Sequence, residues 1–133
     1  MKEKLKVGII GATGYVGQRF VRLLDEHPWF EIKKLAASPR SAGKSYKQAL
    51  EGRRLFAEEG PAKAESLTVE TVTPETAEAF AKGLDLCFCA VNMPKPEIVA
   101  LEEALAKAEL PVISNNSANR MQEDVPVIIP EVN

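Results

Sequence analysis

The sequence predicts an α/β fold: a doubly wound, mostly parallel sheet of about six strands. Three observations predict it. Short, nearly continuous apolar runs such as KLKVGIIG (residues 4–11) and LDLCFCAV (residues 84–91) have the composition of strands buried on both faces of a sheet. Segments of helical spacing alternate with such runs, about every 25–30 residues at the start, as right-handed βαβ units require. Three glycines, Gly11, Gly14 and Gly17, stand where the first run passes into the first helical segment.

The elements follow in order. KLKVGIIG is the first strand. YVGQRFVRLLDEH is a helix with Val16, Phe20, Leu23 and Leu24 as its apolar stripe, ended by His27-Pro28 because proline disfavours helix at the residue before it. FEIKKLAAS is the second strand, and PRSAGKSYKQALEGRR is a loop passing into a short helix. Residues 57–66, AEEGPAKAES, have the composition of a linker. SLTVETV alternates and is a third, more exposed strand. TPETAEAFAKG is a helix with Thr73 as N-cap, Pro74 in its first turn and Gly83 as C-cap. LDLCFCAV is the fourth strand. PEIVALEEALAKAEL is a helix with Ile98, Leu101, Leu105 and Ala108 on one side and a Glu103–Lys107 pair on another. PVISN is the fifth strand and VPVIIPEV the sixth, which completes a sheet in the order 3-2-1-4-5-6.

At 133 residues the chain is about one domain, read here as a dinucleotide-binding domain over residues 1–133. A net charge of −2 speaks against a general nucleic-acid binder, which needs a basic surface. No apolar run approaches the roughly 20 residues of a membrane span, and the N-terminus lacks a secretory h-region, so the expected location is cytoplasmic. Cys87 and Cys89, two apart on a strand, face the same way; two thiols so close form neither a metal site nor a disulfide framework, and buried reduced thiols are expected.

The first strand-to-helix turn of a Rossmann-type sheet is where a dinucleotide pyrophosphate binds. Free N–H groups and a partial positive charge lie at the helix N-terminus, and glycines bring the backbone close to the phosphates. The spacing here is G-x-x-G-x-x-G, one residue removed from the commoner form. An Asp or Glu about 20 residues further on reads the ribose 2′-hydroxyl of NAD. That place reads Ala36-Ala37-Ser38-Pro39-Arg40-Ser41, with an arginine and two hydroxyls and no acid, which suits the 2′-phosphate of NADP. SPRSAGKS, residues 38–45, imitates a P-loop, but its first glycine is a serine and it does not follow the first strand. Parallel strands gather their C-terminal ends at one edge. The run Cys89-Ala90-Val91-Asn92 and the run Ser114 to Asn119 therefore join the same site or serve as plain turns.

The segments GIIGATGYVGQRFVRLLDEHPWFEI, AASPRSAGKSY, ISNNSANRM and DVPVIIPEVN together resemble aspartate-semialdehyde dehydrogenase of the archaeal and fungal branch, in order from about Lys6 to Asn133. The glycine motif alone also fits N-acetyl-glutamyl-phosphate reductase; SNNSANRM and IPEVN favour the first. The resemblance implies an NADP-linked reduction of L-aspartyl-4-phosphate to aspartate semialdehyde through a cysteine thioester, a step towards lysine, methionine and threonine. It implies that Gly11, Thr13, Gly14, Tyr15, Val16 and Gly17 hold the pyrophosphate and adjoining ribose. Ser38, Arg40 and Ser41 would hold the 2′-phosphate, Cys89 and Ala90 would line the cofactor site, Asn115 would lie on the nicotinamide side, and Arg120 would grip the substrate phosphate.

Where the family has a SALP-like run after the fourth strand, this chain has Cys89-Ala90-Val91-Asn92. The family's catalytic cysteine, its histidine and its substrate domain would all follow Asn133, so the chain is expected to be a fragment, inactive alone, of an enzyme that is a homo-oligomer in full-length form. Cys89 has no base: the sole histidine, His27, ends a helix that runs about 20 Å away from the cofactor edge, and is expected to interact with the helix dipole. A stand-alone dinucleotide-binding or sensing module and a non-catalytic subunit would share the same site.

Overall fold

The computed structural model describes residues 3–56 and 60–132. Its sheet has five strands: β1 (Leu5–Ile10), β2 (Phe30–Ala36), β3 (Val69–Glu70), β4 (Leu86–Cys89) and β5 (Val112–Ser114). All pair in parallel, in the order β3-β2-β1-β4-β5. Between them run α1 (Tyr15–Leu24), α2 (Tyr46–Ala49), α3 (Ala62–Glu65), α4 (Ala77–Ala81) and α5 (Lys95–Lys107).

The central strands are buried on both faces over residues 7–10, 35–36 and 87–89, and alternation along them sorts their residues into two cores, while β5 is largely exposed. Val7, Ile9, Leu35 and Phe88 pack with Val21 and Leu24 of α1 and with Tyr46. Ile10, Ala36, Cys87 and Cys89 pack on the other face with Phe80 of α4 and with Leu101 and Leu105 of α5. The two cysteines thus do share one face, reduced and fully buried.

Several elements differ from the sequence reading. VPVIIPEV forms no strand among the described residues. Pro126 and Pro130 lack the N–H a ladder needs, and Val127, Ile128, Ile129 and Val132 lie exposed. The buried stripe of α1 is Gly17, Val21 and Leu24, with Phe20 partly buried; Leu23 faces solvent. Helix α4 begins three residues later than expected, because Thr73 N–H donates to Thr76 Oγ1 at 2.9 Å and closes a separate turn. Gly83 follows the end of α4 with φ +80°, a left-handed conformation suited to glycine. Of the linker-like stretch, residues 57–59 lie outside the described residues. Ala62–Glu65 is a helical turn whose Glu65 is buried against Arg54.

No helix of the described residues is long and apolar enough to cross a membrane. Among them, no group of three or more His, Cys, Asp or Glu side chains is placed to hold a metal ion.

Candidate functional site

The site is built on the turn from β1 to α1, at the point where the strand order reverses between β1 and β4. The three glycines do different work there. Gly11 has φ +85°, and a β-carbon on it would meet the Ala90 carbonyl oxygen at 2.2 Å, so the turn lies directly against the end of β4. Gly17 lets α1 pack onto the turn: its β-carbon would sit 2.0 Å from the Gly11 carbonyl oxygen. Gly14 is different. It is the N-cap of α1, is exposed, and a β-carbon there would meet nothing closer than the Gly11 oxygen at 3.6 Å. Packing within the chain demands glycine at 11 and 17 but not at 14, where the open side is the mouth of the helix.

That mouth presents donors. The N–H groups of Gly11 and Ala12 are spent on the Ala36 carbonyl of β2, at 2.9 and 3.0 Å, and Gly14 N–H reaches the Gly11 oxygen at 3.2 Å. The N–H groups of Tyr15, Val16 and Gly17 have no acceptor among the described residues, and no side chain caps the helix. Tyr15 and Val16 are exposed, and Thr13 is half-buried. An N-terminus of this kind suits an anion.

Two buried polar side chains brace the turn. Tyr46 donates its hydroxyl to the Ala12 carbonyl at 2.6 Å. Gln18, buried on α1, donates from Nε2 to the carbonyls of Thr13 (3.0 Å) and Arg53 (2.9 Å) and accepts Leu55 N–H at Oε1 (2.7 Å). Neither stands out in the sequence, because their partners are distant or unremarkable backbone groups.

At the end of β2, Ser38 and Arg40 are exposed. Ser41 is fully buried, and its Oγ accepts from Arg53 Nη2 at 2.7 Å. The same guanidinium donates from Nε to the Ala49 carbonyl at 2.9 Å. Ser41 therefore holds the Arg53 guanidinium rather than facing solvent itself.

At the ends of β4 and β5, Asn115 N–H donates to the Cys89 carbonyl at 2.9 Å, and Arg120 Nη2 donates to the Asn115 carbonyl at 3.1 Å. Asn115 and Arg120 are exposed, and Ala90 is half-buried. Cys89 Sγ accepts from Asn116 Nδ2 at 3.4 Å. Burial first, then the Glu102 charge, pushes the Cys89 thiol up to about 12. Cys87 is likewise raised to about 12. Neither is a ready nucleophile. His27 lies three residues beyond α1 at the opposite edge of the sheet. Its Nδ1 accepts from Trp29 N–H at 3.1 Å and its ring packs on Phe30 with centroids 4.9 Å apart. The ring thus closes a turn just beyond the C-terminus of α1, where His27 N–H also donates to the Leu24 carbonyl at 3.2 Å.

Fold and site together define a nucleotide-binding α/β domain. Residues 6–133 match the family model described as semialdehyde dehydrogenase, NAD binding domain, and the chain belongs to that family. It is 40% identical over 130 residues to the aspartate-semialdehyde dehydrogenase of Archaeoglobus fulgidus, covering 98% of this chain and 35% of that protein. It is 38% identical over 133 residues to that of Saccharomyces cerevisiae, covering 100% and 34%. Among solved structures, the aspartate-semialdehyde dehydrogenase of Candida albicans with NADP superposes with a TM-score of 0.83 at 38% identity, covering 98% of this chain and 35% of the other. The chain thus spans about a third of the length of these relatives. A Rex-family repressor superposes with a TM-score of 0.57 at 18% identity, a likeness of fold alone.

Proposed function

We propose that this chain holds NADP for an enzyme that reduces L-aspartyl-4-phosphate to aspartate semialdehyde. The observation that carries the reading is the pairing of an open cradle at Gly14 with an acid-free end of β2 bearing an exposed Arg40. The bare N–H groups of Tyr15 to Gly17 fit a pyrophosphate, and Gly14 leaves room for it to approach. Arg40 and Ser38, both exposed, fit a 2′-phosphate, and Ser41 beside them is buried and holds Arg53. The Candida albicans relative, solved with NADP, supports the same choice.

When bound, the nicotinamide supplies hydride transfer. The residues of this chain bind and orient: the glycine turn fixes the phosphates, Asn115 borders the nicotinamide half at the ends of β4 and β5, and Arg120 offers a guanidinium to the substrate's phosphate. Cys89 and Ala90 border the cofactor through their backbone, since the Cys89 thiol points into the core beneath α5. The thioester-forming nucleophile and its base are not supplied by Cys87, Cys89 or His27.

Titrating the purified chain with NADP and with NAD by calorimetry tests the proposal. Tighter binding of NADP is expected; equal affinity for both would overturn the choice of cofactor.

A further inference from the structure

Glu102 is an acid on α5 that neither the glycine turn nor the arginines use, and it is 7% exposed. Both of its carboxylate oxygens are engaged by the loop after β5. Oε2 accepts from Ser114 Oγ and, at 3.1 Å, from Asn116 Nδ2; Oε1 accepts from Asn119 Nδ2 at 2.8 Å. Ser114 Oγ in turn accepts Asn116 N–H at 3.0 Å. One helix side chain thus fastens three of the six residues from Ser114 to Asn119.

The residues left over are those that face outward. Asn115 and Arg120 are exposed, and Arg120 reaches back to the Asn115 carbonyl. The loop is also tied to β4, through Asn115 N–H on the Cys89 carbonyl, and the next residue of that segment, Ala90, is the one against which Gly11 packs. A continuous set of contacts therefore runs from Glu102 through the loop to the pyrophosphate turn. Burying a carboxylate costs free energy unless its lone pairs are satisfied. Closing a surface turn does not require one, since turn residues manage that alone.

We propose that Glu102 is a positioning residue: it sets the 114–120 loop so that Asn115 and Arg120 face the nicotinamide half of the dinucleotide. This rests on the reading of the chain as an NADP-binding domain. The two ends of the ligand lie over different strands. The adenosine end belongs over β2 and the nicotinamide end over β4 and β5, so Glu102 acts on one half only.

The test is calorimetry on wild type and Glu102→Gln with two titrants, NADPH and adenosine 2′,5′-bisphosphate, the second of which lacks the nicotinamide half. A carboxamide turns an amino group towards donors and leaves part of the loop unpaired. The variant should weaken NADPH by about tenfold, the scale of one charge-assisted hydrogen bond, and leave the bisphosphate unchanged. A purely structural role would weaken both alike or neither, and either result overturns the proposal. If Glu102→Gln does not fold, Asn119→Ala and Ser114→Ala each remove one arm and should show the same split. Wild type that binds neither titrant overturns the NADP reading and the positioning role with it; wild type that binds both, with no split in the variants, overturns the positioning role alone.

Discussion

Gly17 presses its α-carbon against the carbonyl of Gly11, so that a β-carbon at Gly17 would stand 2.0 Å from that oxygen and 2.7 Å from the α-carbon of Ala12. Both obstacles are backbone, and α1 cannot yield without leaving the sheet. Gly17→Ala should therefore lower stability by about 1–3 kcal/mol or more, the range for overpacking a core. Gly14→Ala, whose β-carbon meets only an ordinary contact, should cost about 1 kcal/mol as a weaker N-cap. It should nonetheless weaken the dinucleotide, because the methyl group enters the space proposed for the pyrophosphate. Thermal melts beside ligand titrations separate the two. Gly14→Ala that binds NADP as tightly as wild type would remove the pyrophosphate from that place.

Arg40 offers a forked donor at the end of β2, where an acid would select NAD. Hydrogen bonds to charged groups contribute about 1.5–3 kcal/mol, so Arg40→Ala should weaken NADP by about tenfold or more. NAD, lacking the 2′-phosphate, should bind the variant as it binds wild type. A variant that weakens both dinucleotides equally would assign Arg40 to the shared part of the ligand instead.

The thiols of Cys87 and Cys89 are raised by burial to about 12 from an ordinary value near 9. The sign follows from proton counting. Between these values the folded thiols keep protons that the unfolded chain has lost, so stability is full below about pH 9 and declines as pH rises towards 12. Denaturant midpoints across that window should fall more steeply for wild type than for Cys87→Ala/Cys89→Ala. At pH 8 neither thiol of the native protein should react with iodoacetamide, and both should react once it is unfolded.

With NADP, phosphate and aspartate semialdehyde supplied, the chain should form no NADPH. Thioester chemistry needs a thiolate and a base within hydrogen-bond reach, about 2.6–3.2 Å. Here the thiols are buried and His27 lies at the far edge of the sheet, occupied by Trp29 N–H. NADPH formation that Cys89→Ser abolishes would overturn this and make Cys89 a nucleophile.

The sequence by itself determined what depends on near neighbours and on the order of segments. Apolar runs bounded by turns marked β1, β2, β4 and β5. The alternation of strand and helix marked a parallel sheet, and the glycine spacing marked the turn that closes the first βαβ unit. The family was legible because GATGYVG, SPRS and SNNSANR retain their order. Tertiary structure decided the rest, because burial depends on what arrives from elsewhere in the chain. VPVIIPEV has the composition of a strand, yet it joins no strand of the sheet among the described residues and its side chains remain exposed. Ser41 and Arg40 are adjacent and look alike as phosphate ligands, but Arg53, twelve residues on, turns Ser41 inward. Gln18 and Glu102 are polar residues of helices whose burial no local pattern marks. They are buried because donors and acceptors 35 and 37 residues away meet the first, and donors 12, 14 and 17 residues away meet the second. Among the three glycines, the carbonyls of Gly11 and Ala90 crowd two and leave Gly14 open, a difference between Gly11 and Gly14 that the spacing alone does not show.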